Sequence, residues 1–551
     1  MNFTNKLALL AACLLPLASQ AQVSPERLLN EASEPGSWMI HHGSYDGQRH
    51  SALTQITPEN VGDLELQWIW QVRSAAGAAQ KFEATPLMVD GVLYTVSPPN
   101  DVVALDPKTG RVFWTYAYTP APEARVCCGR VNRGLAIHGN TLFMGAIDGH
   151  LIAIDAASGQ LKWNIMVGDP NLGYALTVAP LVIDDKVIVG PAGGEFGIRG
   201  FIAAYDVETG SEIWRFNTVP GPGEPGFESW EDPAQEAYKL GGGSIWTTGT
   251  YDPELNLTYW GVGNPGPDWN GDSRPGDNLY TESVVALNPD TGELAWHYQY
   301  TPHDEMDYDA TQVQVLADID WKGEPRKVLM TANRNGVYYV LDRTNGEFLL
   351  GKPFVAVNWM DGKFDDKGRP NRVLSPTESG TFIMPNNQGA TNWYPPSFSP
   401  ETGYFYVPTW MDTYSVYTKR PVAAYIPGQQ YVGAFPTMAM PALSVRPVNQ
   451  RIPEEGFGAI QAIDPATGDI VWRHVMADVT DSGVLSTASN LVFAGGREGY
   501  FYALDAKTGE ELWRETLGGQ VASGPMSFEL EGRQYIMVAA GAGLFAFALP
   551  E

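Results

Sequence analysis

Short apolar runs alternate with turn residues along almost the whole chain. In Asp101-Val-Val-Ala-Leu the apolar run leads into Asp106-Pro-Lys-Thr-Gly110, and a second run follows that ends at Trp114. Brief runs rich in β-branched residues, bounded by such clusters, read as strands. The Asp can accept bonds from the amides ahead of it and the Gly tolerates positive φ, so the phrase between the runs predicts a tight hairpin turn. The terminal Trp offers a broad flat surface for packing on a neighbouring sheet.

The phrase Ala-x-Asp-x-x-Thr-Gly-x-x-x-Trp recurs. Copies end at Trp114, Trp163, Trp214, Trp296, Trp472 and Trp513, and a degenerate one carries Asp342, Asn345-Gly346 and Leu350 in place of Trp. The first three tryptophans lie about fifty residues apart, the scale of one propeller blade. Seven copies, with one further blade made by joining the two ends of the chain, predict an all-β, eight-bladed β-propeller. Residues 532–549 have strand patterning without a docking Trp, as expected of a closing blade. No composition shift marks a second domain, so 22–551 read as one domain. Residues 219–243, 352–386 and 411–456 break the rhythm and read as functional loops.

Composition fits this picture, with 59 Gly, 41 Pro, 17 Trp and 25 Tyr in 551 residues. The 63 acidic residues outnumber the 35 basic ones, for a net charge of −28. That balance argues against nucleic acid or an anionic membrane as partner and suits a basic protein. Lys6, the apolar run Leu7 to Leu17 and Ser19-Gln20-Ala21 read as a secretory signal, residues 1–21, which predicts export to the periplasm. Cys13 lies in mid-run, with Leu14 and Leu15 following, so lipidation there is not expected. No later run approaches the ~20 apolar residues of a membrane span. Cys-x-x-Cys-His is absent, so these residues attach no c-type haem.

Cys127 and Cys128 are adjacent. Neighbouring Cα atoms stand about 3.8 Å apart, below the usual disulfide span, and so small a ring removes little loop-closure entropy. Two readings stay open on the pair alone: two reduced buried thiols, or a stiff sulfur surface inside a site. Export favours the bridge.

The docking tryptophans, together with Cys127-Cys128-Gly-Arg-Val-Asn-Arg133-Gly, resemble the pyrroloquinoline quinone (PQQ) dependent alcohol dehydrogenases, methanol dehydrogenase among them. The resemblance spans essentially all of 22–551. It implies that a Cys127–Cys128 disulfide covers one face of PQQ and that Trp246, in Gly-Gly-Gly-Ser-Ile-Trp, covers the other. By motif it places Glu83, Arg133, Thr177 and Asn392 around the cofactor, with Arg334 at its reactive carbonyls. Gly193 and Gly194 are placed there too, in Ala192-Gly-Gly-Glu195, where relatives have Ser-Gly-Ala-Glu. Near Thr480-Asp481-Ser482-Gly483 the Trp that relatives place by the cofactor is missing.

The resemblance further implies a hard cation bridging PQQ and protein, with Glu195, Asn264 and Asp307 as ligands. Residues two apart in an extended chain project to one side, so Asp307 and Asp309 are expected to face one ion. Lanthanide-type relatives carry Asp at the second position, where calcium types carry a small or uncharged residue. An added carboxylate balances a trivalent ion. A lanthanide is therefore favoured, with Ca²⁺ as the alternative. The implied chemistry makes Asp307 the general base and the cation a Lewis acid, while PQQ accepts hydride and Arg334 steadies the developing charge. Electrons would leave to a separate soluble cytochrome c. Met306 replaces the Trp of relatives, and Trp269 stands one residue further from Asn264 than in methanol oxidisers. An alcohol larger than methanol, even a bulky secondary one, is the expected substrate. The alternative is a non-catalytic assembly propeller, which shares the repeat.

Overall fold

The computed structural model describes residues 23–72, 81–433, 437–439 and 456–551. The expected signal segment and much of the 411–456 loop lie outside them. Eight sheets, each built on four antiparallel strands, make up the propeller. The first blade is Leu87–Val89, Val92–Ser97, Asp101–Leu105 and Val112–Tyr116, paired in chain order. Inner strands are buried on both faces, as in Leu485–Thr487, while outer strands such as Glu511–Thr516 are exposed or half-buried along their whole length.

The last blade joins the ends of the chain. Met526–Leu530, Arg533–Ala540 and Gly543–Ala548 are completed by Glu65–Gln71, with Glu65 opposite Ala548 and Gln71 opposite Gly543. The ring therefore closes by strand pairing, the N-terminal strand completing the sheet of the C-terminal ones.

Each repeat phrase forms the expected hairpin. Asp106 takes the Lys108 amide on its carboxylate at 2.9 Å and the Gly110 amide on its carbonyl at 2.9 Å. The tryptophans dock across blades, not within them. Trp114 donates from Nε1 to Ala156 O at 3.2 Å, Trp163 to Val207 O at 3.1 Å, and Trp472 to Ala506 O at 3.0 Å. Each acceptor follows the Asp of the next blade's turn, and the Gly of that turn lies beneath the indole. At the degenerate copy Leu350 and Lys352 cover Gly468 instead. The closing blade has its own docking residue after all: Trp68, on the N-terminal strand, donates to Pro107 O at 2.9 Å and covers Gly110.

The site follows from this architecture. In a four-stranded antiparallel blade, the lead-in to the innermost strand and the loop between the second and third strands lie at the same end. That end of the ring gathers one such pair of segments from every blade.

Candidate active site

A cavity of about 280 Å³ opens there. The lead-in segments bring Glu83, Arg133, Thr177, Trp246, Asp307, Asp309 and Asn392 to it from successive blades. Loops between second and third strands add Gly193, Glu195 and Arg334, and the crossover from the first to the second blade adds Cys127 and Cys128. Nearly every residue expected from the sequence thus meets at one place. Gly194 and Asn264 do not face the cavity. They stand one layer behind Glu195, where a Cβ on Gly194 would lie 3.6 Å from Asn264 Oδ1.

Cys127 and Cys128 are disulfide-bonded and exposed, which settles the two readings of the pair against buried thiols. Their sulfurs and the Glu195 carboxylate lie within 4.8 Å of one another. Across the cavity Arg133 lies over the Trp246 ring, 4.8 Å from its centroid, and 5.2 Å from that of Trp393. Arg133 Nη1 donates to Thr177 Oγ1 at 2.9 Å and to Trp246 O at 3.1 Å. Arg133 Nη2 stands 3.1 Å from Glu83 Oε2, yet that oxygen and Arg133 Nε are buried without an aligned hydrogen bond. The contact is electrostatic and leaves both atoms with bonding capacity for a ligand. Burial pushes Glu83 up, with Arg133 pulling the other way, and burial also pushes Arg133 down.

The acidic side of the cavity is held by a turn, not by a strand. Asp307 and Asp309 have φ of 62° and 39°, so the extended chain expected there is replaced by left-handed backbone. Asp304 holds that conformation: its buried carboxylate accepts from the amides of Met306, Asp307 and Tyr308 at 3.1, 2.8 and 3.2 Å. Both acids still converge, on Arg334. Its Nη1 donates to Asp309 Oδ2 at 2.6 Å and its Nη2 to Asp307 Oδ2 at 3.3 Å, while Nε is anchored on Asn387 O at 3.1 Å. The other Asp309 oxygen takes the Asn264 amide at 2.9 Å.

Charge is not balanced in this cluster. Burial pushes Glu195 up to about 7, reinforced by Asp309. Burial also pushes Asp307 well above the carboxylate range, Arg334 opposes it, and Asp309, Asp268 and Glu195 add to it. Arg334 itself is held above its usual value despite its burial, because Asp307 and Asp309 flank it. Oxygen donors that resist holding their charges together are the donor set of a hard cation. The rest suits a flat polycarboxylate: a sulfur pair, Trp246, the buried Arg133 and, at the rim, Lys81. The residues present therefore fit both the cation and PQQ.

Trp269, whose spacing from Asn264 differs from that of methanol oxidisers, does not line the cavity; it is buried, and its amide donates to Val432 O at 3.1 Å. In Thr480-Asp481-Ser482-Gly483, where the Trp of relatives is missing, Asp481 binds Lys81 Nζ at 2.8 Å and Arg497 Nη2 at 2.9 Å. Asp304, Asn387 and Trp393 escaped the sequence reading. Asp304 alone carried a signal, an Asp placed to cap the turn that follows it.

The chain matches the family described as PQQ: glucose/ethanol/alcohol dehydrogenase, β-propeller domain, over residues 38–358 and 354–536. It is 38% identical over 558 residues to the quinoprotein alcohol dehydrogenase PedH of Pseudomonas putida, covering 97% of this chain and 91% of that one. With the 1-butanol dehydrogenase (cytochrome c) of Thauera butanivorans it shares 39% over 534 residues, 92% of this chain and 75% of the relative. Among solved structures, a europium-containing methanol dehydrogenase superposes with a TM-score of 0.87 at 33% identity, covering 95% of this chain and all of that one. On these matches, and on a cavity whose donors suit a cation and a planar polyacid, the chain belongs to the PQQ-dependent alcohol dehydrogenases and is an oxidoreductase that uses PQQ and a metal ion.

Proposed function

We propose that the protein oxidises an alcohol larger than methanol in the periplasm, following removal of a signal peptide at 1–21 that leaves a single domain at 22–551. One observation carries this reading. The Cys127–Cys128 bridge, Trp246, Glu195, Asp307, Asp309 and Arg334 surround one cavity although they come from distant parts of the chain. PQQ would lie between the disulfide and Trp246, within reach of Glu83, Arg133, Thr177, Gly193 and Asn392. Glu195, Asp307 and Asp309 would hold the cation, with Asn264 reaching in from behind.

When bound, PQQ supplies a two-electron acceptor and the cation supplies a Lewis acid beside it. Asp307 faces the cavity and is half-buried, so its carboxylate takes the hydroxyl proton of the alcohol as general base. Arg334 aims its guanidinium into the same space and steadies an oxygen that gains negative charge. Met306 is wholly buried behind Asp307, and Tyr417 donates to its carbonyl at 3.1 Å, which sets that wall of the pocket.

A lanthanide is the cation of choice, supported by the acid at Asp309 and by the europium-containing relative. The 1-butanol relative supports both a longer alcohol and a cytochrome c acceptor. The test is to load the protein with PQQ and either Ca²⁺ or La³⁺ and follow dye reduction with a panel of primary and secondary alcohols. No reduction with any alcohol under either metal would overturn the reading. Methanol as the best substrate would overturn the size assignment.

A further inference from the structure

Lys81 takes no part in the reaction described above, yet its side chain is fixed at the cavity rim. Lys81 and Glu83 both line the cavity, while Phe82 between them is buried with its ring 6.4 Å from that of Trp70. The chain alternates there, so the two charged residues share one side. The Lys81 side chain is 39% exposed, and its Nζ donates to Asp481 Oδ2 at 2.8 Å. An exposed lysine ordinarily gains little from such a pair, because ordering its long stem offsets the attraction. Here the carboxylate is buried and already fixed, so only Lys81 has to be ordered.

Asp481 is held by several donors. Arg497 Nη2 bonds Oδ1 at 2.9 Å and Nε bonds Oδ2 at 3.1 Å, and Gln520 Nε2 also donates to Oδ2. Trp410 braces this arrangement: its Nε1 donates to Thr480 O at 2.6 Å, and its ring centroid lies 4.8 Å from the Arg497 guanidinium. Burial pushes Asp481 up, but Arg497 and Lys81 outweigh it and hold the carboxylate below its usual value. One carboxylate thus serves two cations, which leaves a surplus of positive charge. Of the two cations, Lys81 lines the cavity and Arg497 does not. The Lys81 ammonium makes no other bond among the described residues, so two of its three N–H groups remain for a ligand. A cation ordered in advance at a cavity rim is a receptor for an anionic group such as a carboxylate.

We propose that Lys81 is a further cofactor-binding residue, whose ammonium pairs with a carboxylate of PQQ, and that Asp481 is its positioning residue. The assignment rests on the PQQ reading given above. It adds to Arg133 a second cation for the carboxylates, held by the segment in which the Trp of relatives is missing.

The experiment measures PQQ affinity by equilibrium dialysis in the presence of La³⁺, for wild type, Lys81→Met, Asp481→Asn and the double variant. Loss of a hydrogen bond to a charged group corresponds to ~10–100-fold in affinity, so Lys81→Met is expected to weaken PQQ by that factor without lowering the melting temperature. Added KCl is expected to weaken PQQ more steeply in wild type than in Lys81→Met. Asp481→Asn is expected to weaken PQQ by itself but to add little in the Lys81→Met background, because it acts through Lys81. Unchanged affinity in Lys81→Met, parallel salt dependences, or a loss matched by a lower melting temperature would each overturn the proposal. An equal effect of Asp481→Asn in both backgrounds would remove it as the positioning residue. A carboxylate-bearing alcohol is the other source of this chemistry. Unchanged PQQ affinity in Lys81→Met with a raised KM for a hydroxy acid, but not for the matching alcohol, would assign Lys81 to the substrate instead. Should Asp481→Asn not fold, Lys81→Met and its salt dependence carry the test. A wild type that binds no PQQ would refute the reading on which the assignment rests.

Discussion

Arg334 sits closer to Asp309 than to Asp307, with contacts of 2.6 Å and 3.3 Å. Asp309, not the proposed base Asp307, is the main holder of the guanidinium. On the proposed reading Asp309 would have two consequences: it would add a ligand oxygen for the cation and keep Arg334 from neutralising Asp307. In Asp309→Ala the guanidinium is expected to swing onto Asp307, and La³⁺ activation is expected to fall by more than the ~10–100-fold typical of outer-sphere changes. Ca²⁺ activation should suffer less. Metal titration of dye-reduction rates checks this, and equal La³⁺ activation in variant and wild type would remove Asp309 from the cradle.

Asp307→Asn keeps the shape of the base and removes its proton affinity. A positioned general base contributes ~10²–10⁴-fold, so kcat should drop by that factor. PQQ binding, followed by the absorbance of the cofactor, should change little. A kcat within a few-fold of wild type would assign the proton to another group.

Cys127→Ser breaks a ring between adjacent residues, which constrains the unfolded chain weakly, so the melting temperature should move little. Affinity for PQQ should fall, because the exposed sulfur pair lines the cavity and not the core. Equilibrium dialysis against PQQ and a thermal melt separate the two effects. A large loss of stability with unchanged PQQ affinity would make the bridge structural.

Metal binding should depend on pH through Glu195. Its folded value of about 7 lies above its ordinary 4.5, through burial and then Asp309. Between those values the native state holds a proton that the unfolded chain has lost, so metal-free protein loses stability as pH rises through this window. A cation must displace that proton, so its affinity should climb from pH 5 to 7 with proton release. His41 and His42, held neutral by burial, push stability the other way over part of this range. The difference between melts with and without La³⁺ cancels them. A La³⁺ stabilisation that is flat from pH 5 to 7 would exclude Glu195 as a ligand.

The fold was legible because its signal is local and repeated. Asp106, Asp155, Asp206 and Asp505 each write their own turn into the next few residues, and the turn identifies the blade. The site was legible where a short motif carries it, as in Cys127-Cys128 or Asp307-Tyr-Asp309. It was not legible where function depends on contacts between distant segments. Nothing near Asn387 announces that its carbonyl anchors Arg334, and nothing near Lys81 announces Asp481. The alternation reading expected Asp307 and Asp309 on one side of an extended chain; the two meet at Arg334, but on left-handed backbone, because the Asp304 cap and the positive φ values are specified by a buried carboxylate and not by periodicity.

Trp68 illustrates the same limit and yields a stability test. A tryptophan belongs to the blade whose strand it ends, but its partner is the next blade's turn, so the N-terminal strand's Trp68 could not be matched to Gly110 from spacing within one copy. In the structure a Cβ on Gly110 would lie 2.6 Å from Trp68 Cε3, and Gly110 has φ of 69°. Gly532 has a similar φ of 79° with no atom near its Cβ direction. Left-handed backbone costs a non-glycine residue ~1–2 kcal/mol at either position. Gly110→Ala must also push the indole away and stretch its bond to Pro107 O, which adds about 1 kcal/mol. Gly110→Ala should therefore lower the urea midpoint more than Gly532→Ala, and Trp68→Phe should narrow the gap by releasing the hydrogen bond beforehand. Equal midpoints for the two glycine variants would show that Trp68 does not clasp the closing blade to the first.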